Sequence, residues 1–166
     1  MIVDLDMKLT RNFSLGEAAK SSVADRLGID NTPPAELVPA IEAIAEFVLQ
    51  PARDHFRTPI VPSSWYRCQA LDKAIRSAAA QARWTPKSQH IWGQAVDFEV
   101  PGVSNLDLAS WLAANIDFDQ LILEFHNPDI PTSGWCHVSY VGHGQNRREM
   151  LQFHPSTGWQ SLSLAA

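Results

Sequence analysis

The sequence lacks the features that would direct it to a membrane or a nucleic acid. No apolar run approaches the length that spans a bilayer. The first eight residues have neither the basic part nor the apolar part of a signal peptide. With a net charge of -5 and no long run of one sign, the chain has no basic stripe of the kind that binds nucleic acids. We therefore expect a protein made in the cytoplasm, with no membrane and no nucleic acid among its partners.

Cysteine is scarce as well, because Cys68 and Cys136 are the only two. Their separation makes no zinc-finger signature. In a cytoplasmic protein we expect reduced thiols, although a disulfide stays open for a protein that acts outside the cell. What is present is an ordinary globular composition, 45% hydrophobic and 19% charged, which can bury a core. The length fits one domain, 1–166, better than two, and we expect a monomer.

The hydropathy pattern predicts helices in the first half and mostly strands in the second, which is typical of an α+β fold. A capping-box sequence formed by Ser14 and Glu17 predicts the start of the first helix. The predicted helices are about 14–22, 35–50, 69–80 and 106–114, the last with Asn105 as a possible cap. The predicted strands are 95–100, 120–125, 135–140 and 148–153.

One predicted strand alternates apolar and acidic side chains, so that Asp97 and Glu99 share its polar face. His90 precedes Asp97 by seven residues, and Gly93 lets the chain turn between them. On a later strand His137 also stands on one face. Zinc accepts nitrogen from histidine and oxygen from aspartate, and a catalytic site needs three protein ligands. Taken alone, each of these residues has a structural interpretation too, as a hydrogen-bonded histidine or a solvent-facing carboxylate.

Three motifs together resemble those of the zinc D-Ala-D-Ala carboxypeptidase family, which also contains phage endolysins that cleave between L-alanine and D-glutamate. Residues 88–97, SQHIWGQAVD, are similar to its S-x-H-x-x-G-x-A-x-D motif, and residues 135–139, WCHVS, to its W-x-H-x-S motif. Residues 63–67, SSWYR, resemble its S-G-Y-R-S segment. Further likeness at 13–17 and 49–53 extends the resemblance over nearly the whole chain. It implies helices packed on a small, mostly antiparallel sheet with a zinc cleft, as in hedgehog-like domains.

The resemblance implies one zinc ion and three ligands: His90, Asp97 and His137. The catalytic base is assigned less directly than the ligands. Many relatives carry an acidic residue three positions before the last zinc histidine, where this chain has Gly134. Glu124, on the preceding strand, is the predicted base. The alternative is that Glu124 simply faces solvent on its strand. Glu99 and Asp119 are weaker candidates.

Four more residues have predicted roles, of which only that of Arg67 comes from the resemblance. Arg67 corresponds to an arginine that meets substrate, where it would bind a carboxylate or steady the oxyanion; a surface ion pair is the alternative. Ser88 would orient the His90 loop through a hydrogen bond. Trp92 and Trp135 would wall the cleft, or else belong to the core.

The sequence therefore predicts a zinc metallopeptidase that hydrolyses peptidoglycan stem peptides. The reaction would be that of a D-Ala-D-Ala carboxypeptidase or of an L-Ala-D-Glu endopeptidase. A phage or prophage endolysin that reaches the cell wall through a separate pore fits, and so does a cytoplasmic enzyme acting on wall fragments. The alternative of another class is a zinc-stabilised module or virion component that binds wall peptide without cutting it. The chain has no G-x-S-x-G, S-x-x-K or H-E-x-x-H motif of other hydrolases.

Overall fold

The computed structural model describes residues 3–164, in which the first, third, fourth and last of seven helices pack on one face of a five-stranded sheet. The helices are α1 (Leu15–Ala19), α2 (Ser22–Leu27), α3 (Val38–Ile44), α4 (Gln50–Phe56), α5 (Gln69–Ala74), α6 (Ala78–Gln81) and α7 (Asn105–Asn115). Two 3₁₀ turns cover Ala35–Leu37 and Gln89–Trp92. The strands are β1 (Ala95–Phe98), β2 (Gln120–Glu124), β3 (Trp135–Ser139), β4 (Glu149–His154) and β5 (Gly158–Ser161).

Serine residues divide two of the predicted helices. The capping box is confirmed, since the Glu17 carboxylate accepts a hydrogen bond from the Ser14 N–H at 2.8 Å. The helix predicted over 14–22 nevertheless ends at Ala19, and the Ser21 hydroxyl then caps α2. In the same way Ser77 caps α6 and splits the helix predicted over 69–80. Each serine side chain competes for backbone N–H groups and so favours a new helix start over continuation.

The helix predicted over 35–50 continues to Phe56. It passes from α3 through a π-helical turn at Ala45–Leu49 into α4. Pro51 lies just after this turn and has no N–H to donate to the preceding turn, so that the wider π geometry accommodates it. The sequence pattern ends the helix at the proline, whereas the fold carries it through. Within residues 3–164, no helix combines the length and apolarity needed to cross a bilayer.

The sheet is mixed, with strand order β1-β3-β2-β4-β5. Three of its four strand pairings are antiparallel, and the β2–β4 pairing is parallel. The four predicted strands are correct to within two residues at each end. Strand β5 was not predicted because four residues that include one glycine make no clear alternation.

The two faces of the sheet have different roles. Val96, Val138 and Leu121 point to the helices and are fully buried in the core. The register places Asp97 opposite His137, and His137 opposite Ile122. Residues directly opposite each other share a face, so polar side chains from β1 and β3 stand together on the face opposite the main core.

The start of α7 differs from the prediction. Ser104, rather than Asn105, is the cap, and its hydroxyl accepts a hydrogen bond from the Asp107 N–H at 3.0 Å. The Asn105 amide is buried and donates to the carbonyl oxygens of Ser133 and Gly134, both at 3.0 Å. Asn105 thereby ties α7 to the loop that leads into β3.

Candidate metal centre and cleft

Three predicted ligands converge from three elements of the fold. His90 lies on the second 3₁₀ turn, Asp97 on β1 and His137 on β3. His137 Nδ1 is 2.8 Å from Asp97 Oδ1, and His90 Nε2 is 3.2 Å from the same oxygen. The two histidine nitrogens are 3.3 Å apart. In the part of the chain that the structure describes, this is the one group of acidic, histidine or cysteine side chains placed to hold a metal ion.

The geometry and chemistry of this group fit a zinc ion. Tetrahedral zinc with bonds of about 2.0–2.1 Å holds its ligand atoms about 3.3 Å apart, which is close to the three separations observed. The Nδ1 of His90 lies 2.6 Å from the Trp65 carbonyl oxygen. Donation of this N–H leaves the lone pair of Nε2 for a metal.

Burial and mutual attraction set the protonation states. Although burial alone would raise it, the neighbouring His90 and His137 hold the pKa of Asp97 well below its usual range. Burial lowers the pKa of His90, and Asp97 opposes that effect. An ionised carboxylate beside a neutral imidazole is the form in which both bind metals.

Backbone hydrogen bonds hold the ligand-bearing segments together. Asp97 N–H donates to the Ser64 carbonyl at 2.7 Å, and Arg67 N–H donates to the His90 carbonyl at 3.2 Å. Between the first two ligands, Gly93 has a φ of 69°, and a Cβ there would lie 2.7 Å from Ile41 Cγ1. Only glycine therefore permits both the left-handed turn and the close approach to α3.

Arg67 lies beside the metal group, and its guanidinium has N–H donors without a hydrogen-bond partner. Its Nη2 is 3.6 Å from Asp97 Oδ2 and its Nη1 is 3.7 Å from Asp72 Oδ1, both at ion-pair rather than hydrogen-bond distance. Its buried Nε has no hydrogen-bond partner. Burial lowers the pKa of Arg67, while the two carboxylates raise it. A guanidinium only 15% exposed in its side chain, with free donors, is suited to grip an anionic ligand.

Asp72 is a residue that sequence analysis missed. It is fully buried on α5, and its Oδ2 accepts hydrogen bonds from Trp84 Nε1 at 2.7 Å and Arg76 Nη2 at 2.9 Å. Burial would raise the pKa of Asp72, but these bonds keep it lowered. The available signal was that Asp72 is the one acidic residue, among five basic ones, between residues 67 and 88.

Glu124 shares a cavity of about 530 Å³ with Arg67, His90 and His137. It stands on β2 two residues beyond Ile122, the partner of His137, and so on the same face of the sheet. Burial and the charge of Asp97 raise the pKa of Glu124. A carboxylate that binds protons more tightly than usual is suited to general base and acid work.

Gly134 explains why the acidic residue cannot stand three positions before His137. Its φ is 74°, and a Cβ built there would lie 1.9 Å from the Glu124 carbonyl oxygen. The loop before β3 crosses directly over the backbone of β2. No side chain fits at this position, and Glu124 on the adjacent strand is an acidic residue that lines the cavity.

The remaining predicted residues lie as follows. Ser88 lines the cavity and precedes the 3₁₀ turn of His90, but its side chain does not cap that turn; only its backbone carbonyl accepts a hydrogen bond, from Ile91 N–H at 3.1 Å. Trp92 is 46% exposed, and Trp135 stacks on Phe125 with ring centroids 4.9 Å apart. Among residues 3–164, the tryptophans that line the cavity are not these two but two that sequence analysis missed: Trp84 and Trp159.

The other candidates have structural partners away from the metal group. Glu99 accepts a hydrogen bond from the Asn105 amide at 3.3 Å. Asp119, just before β2, accepts hydrogen bonds from Arg147 Nε at 2.8 Å and from Gln89 Nε2 at 2.9 Å. Cys136 points into the core and its thiol donates to the Asn105 carbonyl, while burial raises its pKa. Both cysteines are free thiols, as predicted.

Asp119 should make the stability of the protein sensitive to acid. Hydrogen bonds from Arg147 hold the pKa of Asp119 down to about 2, against about 3.9 in an unfolded chain. The ionised form therefore stabilises the fold above pH 4, and this stabilisation is lost as the pH falls toward 2. Urea unfolding between pH 7 and pH 2 should give Asp119→Asn a lower free energy of unfolding at pH 7 than the wild type. Below pH 4 the free energy of unfolding of the variant should fall less steeply with pH, a region we call the acid limb.

The matched control for this experiment is Asp129→Asn, an exposed aspartate in the loop before β3. It should keep the acid limb of the wild type. An Asp119→Asn protein whose stability still falls as steeply as that of the wild type below pH 4 would contradict the assignment.

A family model described as Peptidase M15 matches residues 11–131. This range includes Arg67, His90, Asp97 and Glu124, and it stops just before the strand of His137. No curated protein matches the chain significantly. The family match spans most of the chain and agrees with the convergence of two histidines and an aspartate beside a cleft. The chain belongs to the peptidase M15 family of metallopeptidases.

Proposed function

We propose that the protein is a zinc-dependent peptidase that hydrolyses peptidoglycan stem peptides, with His90, Asp97 and His137 as the zinc ligands. The observation that carries this proposal is the convergence of three ligand atoms, 2.8–3.3 Å apart, in a cavity that also contains Glu124. The peptidase M15 membership supports the reaction class. A binding-only module would not need a partly buried carboxylate beside the metal group.

The ion would supply Lewis-acid chemistry, which polarises a peptide carbonyl and makes water more acidic. Glu124 removes a proton from the attacking water and delivers it to the leaving nitrogen as the C–N bond breaks. Its raised pKa helps in the second half of this cycle, because the protonated form must persist long enough to donate. Arg67 holds a substrate carboxylate near the scissile bond through its unpaired donors.

Digestion of purified peptidoglycan, with and without a chelator, tests this proposal. The released peptides are read by mass spectrometry. Zinc-dependent release of free D-alanine identifies a carboxypeptidase, and new L-alanine and D-glutamate ends identify an endopeptidase. We expect one of the two patterns, and we expect the chelator to abolish it and added zinc to restore it. A folded, zinc-loaded protein that releases neither product would contradict the enzyme and favour the wall-peptide-binding module.

The place of action is part of the same proposal. The protein would act as a monomer at the cell wall, as a phage or prophage endolysin released through a separate pore. Lysis of cells when the protein is co-expressed with a pore-forming protein, but not when it is expressed alone, is the expected result.

A further inference from the structure

One wall of the cleft is unusually basic for an acidic protein. Residues 69–88, which we call the basic arm, contain four basic residues and a single acidic one, whereas the whole chain has a net charge of -5. Three of these cations, Arg76, Arg83 and Lys87, line the cavity that contains the metal ligands, and Lys73 does not. The positive charge of the arm is therefore concentrated on the cleft.

Side-chain hydrogen bonds hold the arm in place. Asp72 is fully buried, and its bonds to Arg76 and Trp84 fasten the segment after α6 against α5. The Gln81 side chain adds a bond from Nε2 to the Arg76 carbonyl at 2.9 Å. Arg83 is the immediate neighbour of Trp84, so its position at the cavity follows from this anchoring.

The arm cations differ in how far they are neutralised. Arg76 pairs with Asp72. Arg83 and Lys87 are exposed, and within residues 3–164 neither forms a salt bridge. The acidic side chain that lines the same cavity is Glu124, on the sheet side. The outer part of the cleft thus holds positive charge that protein groups leave without a partner.

We infer that Arg83 and Lys87, with Arg76 beside them, form an outer subsite for a second carboxylate of the substrate. This inference rests on the proposed function and deepens it. Arg67 lies deep in the cleft, 3.6 Å from Asp97, and binds the carboxylate nearest the scissile bond. The basic arm lies nearer the opening of the cleft and binds a carboxylate that is further along the peptide from the scissile bond. The enzyme consequently selects stem peptides whose glutamyl and diamino-acid carboxylates are free rather than amidated.

Two synthetic stem peptides that differ only in amidation of those carboxylates test the subsite. An exposed charge pair contributes up to about a fivefold effect, so two cations predict about a tenfold higher kcat/KM for the free acid. In the double variant Arg83→Ala/Lys87→Ala this ratio should fall toward one. The loss should appear as a higher KM for the free-acid peptide, with kcat unchanged. Added salt should shrink the wild-type ratio, because the arm is exposed to solvent.

The matched control is Lys73→Ala, which removes an exposed cation from the same arm outside the cavity. It should keep the wild-type ratio, and Arg83→Lys should keep most of it. Thermal unfolding of each variant checks that the arm still folds. A wild type that cleaves both peptides equally, or a double variant that keeps the preference, would overturn the subsite.

Binding separates this inference from the proposed function. If the zinc-loaded wild type cleaves neither peptide, calorimetric titration with both still measures the preference. Tighter binding of the free acid, lost in the double variant, supports the subsite although the peptidase proposal has failed. Equal binding of both peptides, or binding of neither, overturns it.

Discussion

Replacing Glu124 with glutamine is expected to lower kcat for peptide hydrolysis by about 10²–10⁴-fold, the usual contribution of a general acid–base group. Glutamine has nearly the same shape but cannot take the proton from the attacking water. Glu124 lines the cavity without belonging to the group of three ligand atoms, so the variant should still bind one zinc ion. Steady-state hydrolysis and metal analysis of the same protein sample measure the two properties together.

The control for this substitution is Glu149→Gln. Glu149 begins β4 on the same face of the sheet as Glu124, but it bonds to Gln120 and Arg147 outside the metal group. Its replacement should leave kcat near that of the wild type. If Glu124→Gln keeps full activity with zinc bound, Glu124 is not the base, and the proposed mechanism loses its proton carrier.

Replacing His137 with alanine is expected to abolish activity through loss of the metal. His137 is one of the three proposed ligands, and its Nδ1 is 2.8 Å from Asp97 Oδ1 and 3.3 Å from His90 Nε2. Changing a residue that only supports a ligand costs about 10–100-fold in metal affinity, so loss of a ligand should cost more than 100-fold. Competition with a chromogenic chelator measures the zinc Kd, and hydrolysis is followed at saturating zinc.

His143→Ala is the matched control, because the His143 side chain is 94% exposed and pairs with Asp117 away from the cleft. This variant should bind zinc as the wild type does. A His137→Ala protein that retains tight stoichiometric zinc would show that the ion binds elsewhere.

The family resemblance implied the grouping of His90, Asp97 and His137, and each of the three residues also lies within a local pattern of the sequence. Asp97 stands on the polar face of an alternating strand, His90 lies seven residues earlier, and His137 occupies a second alternating strand. The pairing of Asp97 with His137 in adjacent strands depends on the register, which the family resemblance implied but the alternation alone did not specify.

The basic arm could not be predicted because its contacts are tertiary. The partly buried hydrogen bond between Asp72 and Trp84 joins residues twelve positions apart across a helix break that a serine cap creates. Trp159 reaches the cavity only because β5 pairs with β4, and β5 gives no clear alternation. Trp92 follows His90 by two residues, but the 3₁₀ turn directs its side chain outward.

The hydrogen bonds that join His90 to Trp65 and Arg67 limit how the specificity for peptide substrates could change. Trp65 accepts a hydrogen bond from the His90 ring, and Arg67 two residues later donates one to the His90 backbone. Exchanging the segment that carries Arg67 would therefore disturb the metal site in the same step. The exposed cations of the basic arm are anchored through Asp72 instead. Evolution, or a directed library, can vary them to change which peptides are accepted while the reacting centre stays intact.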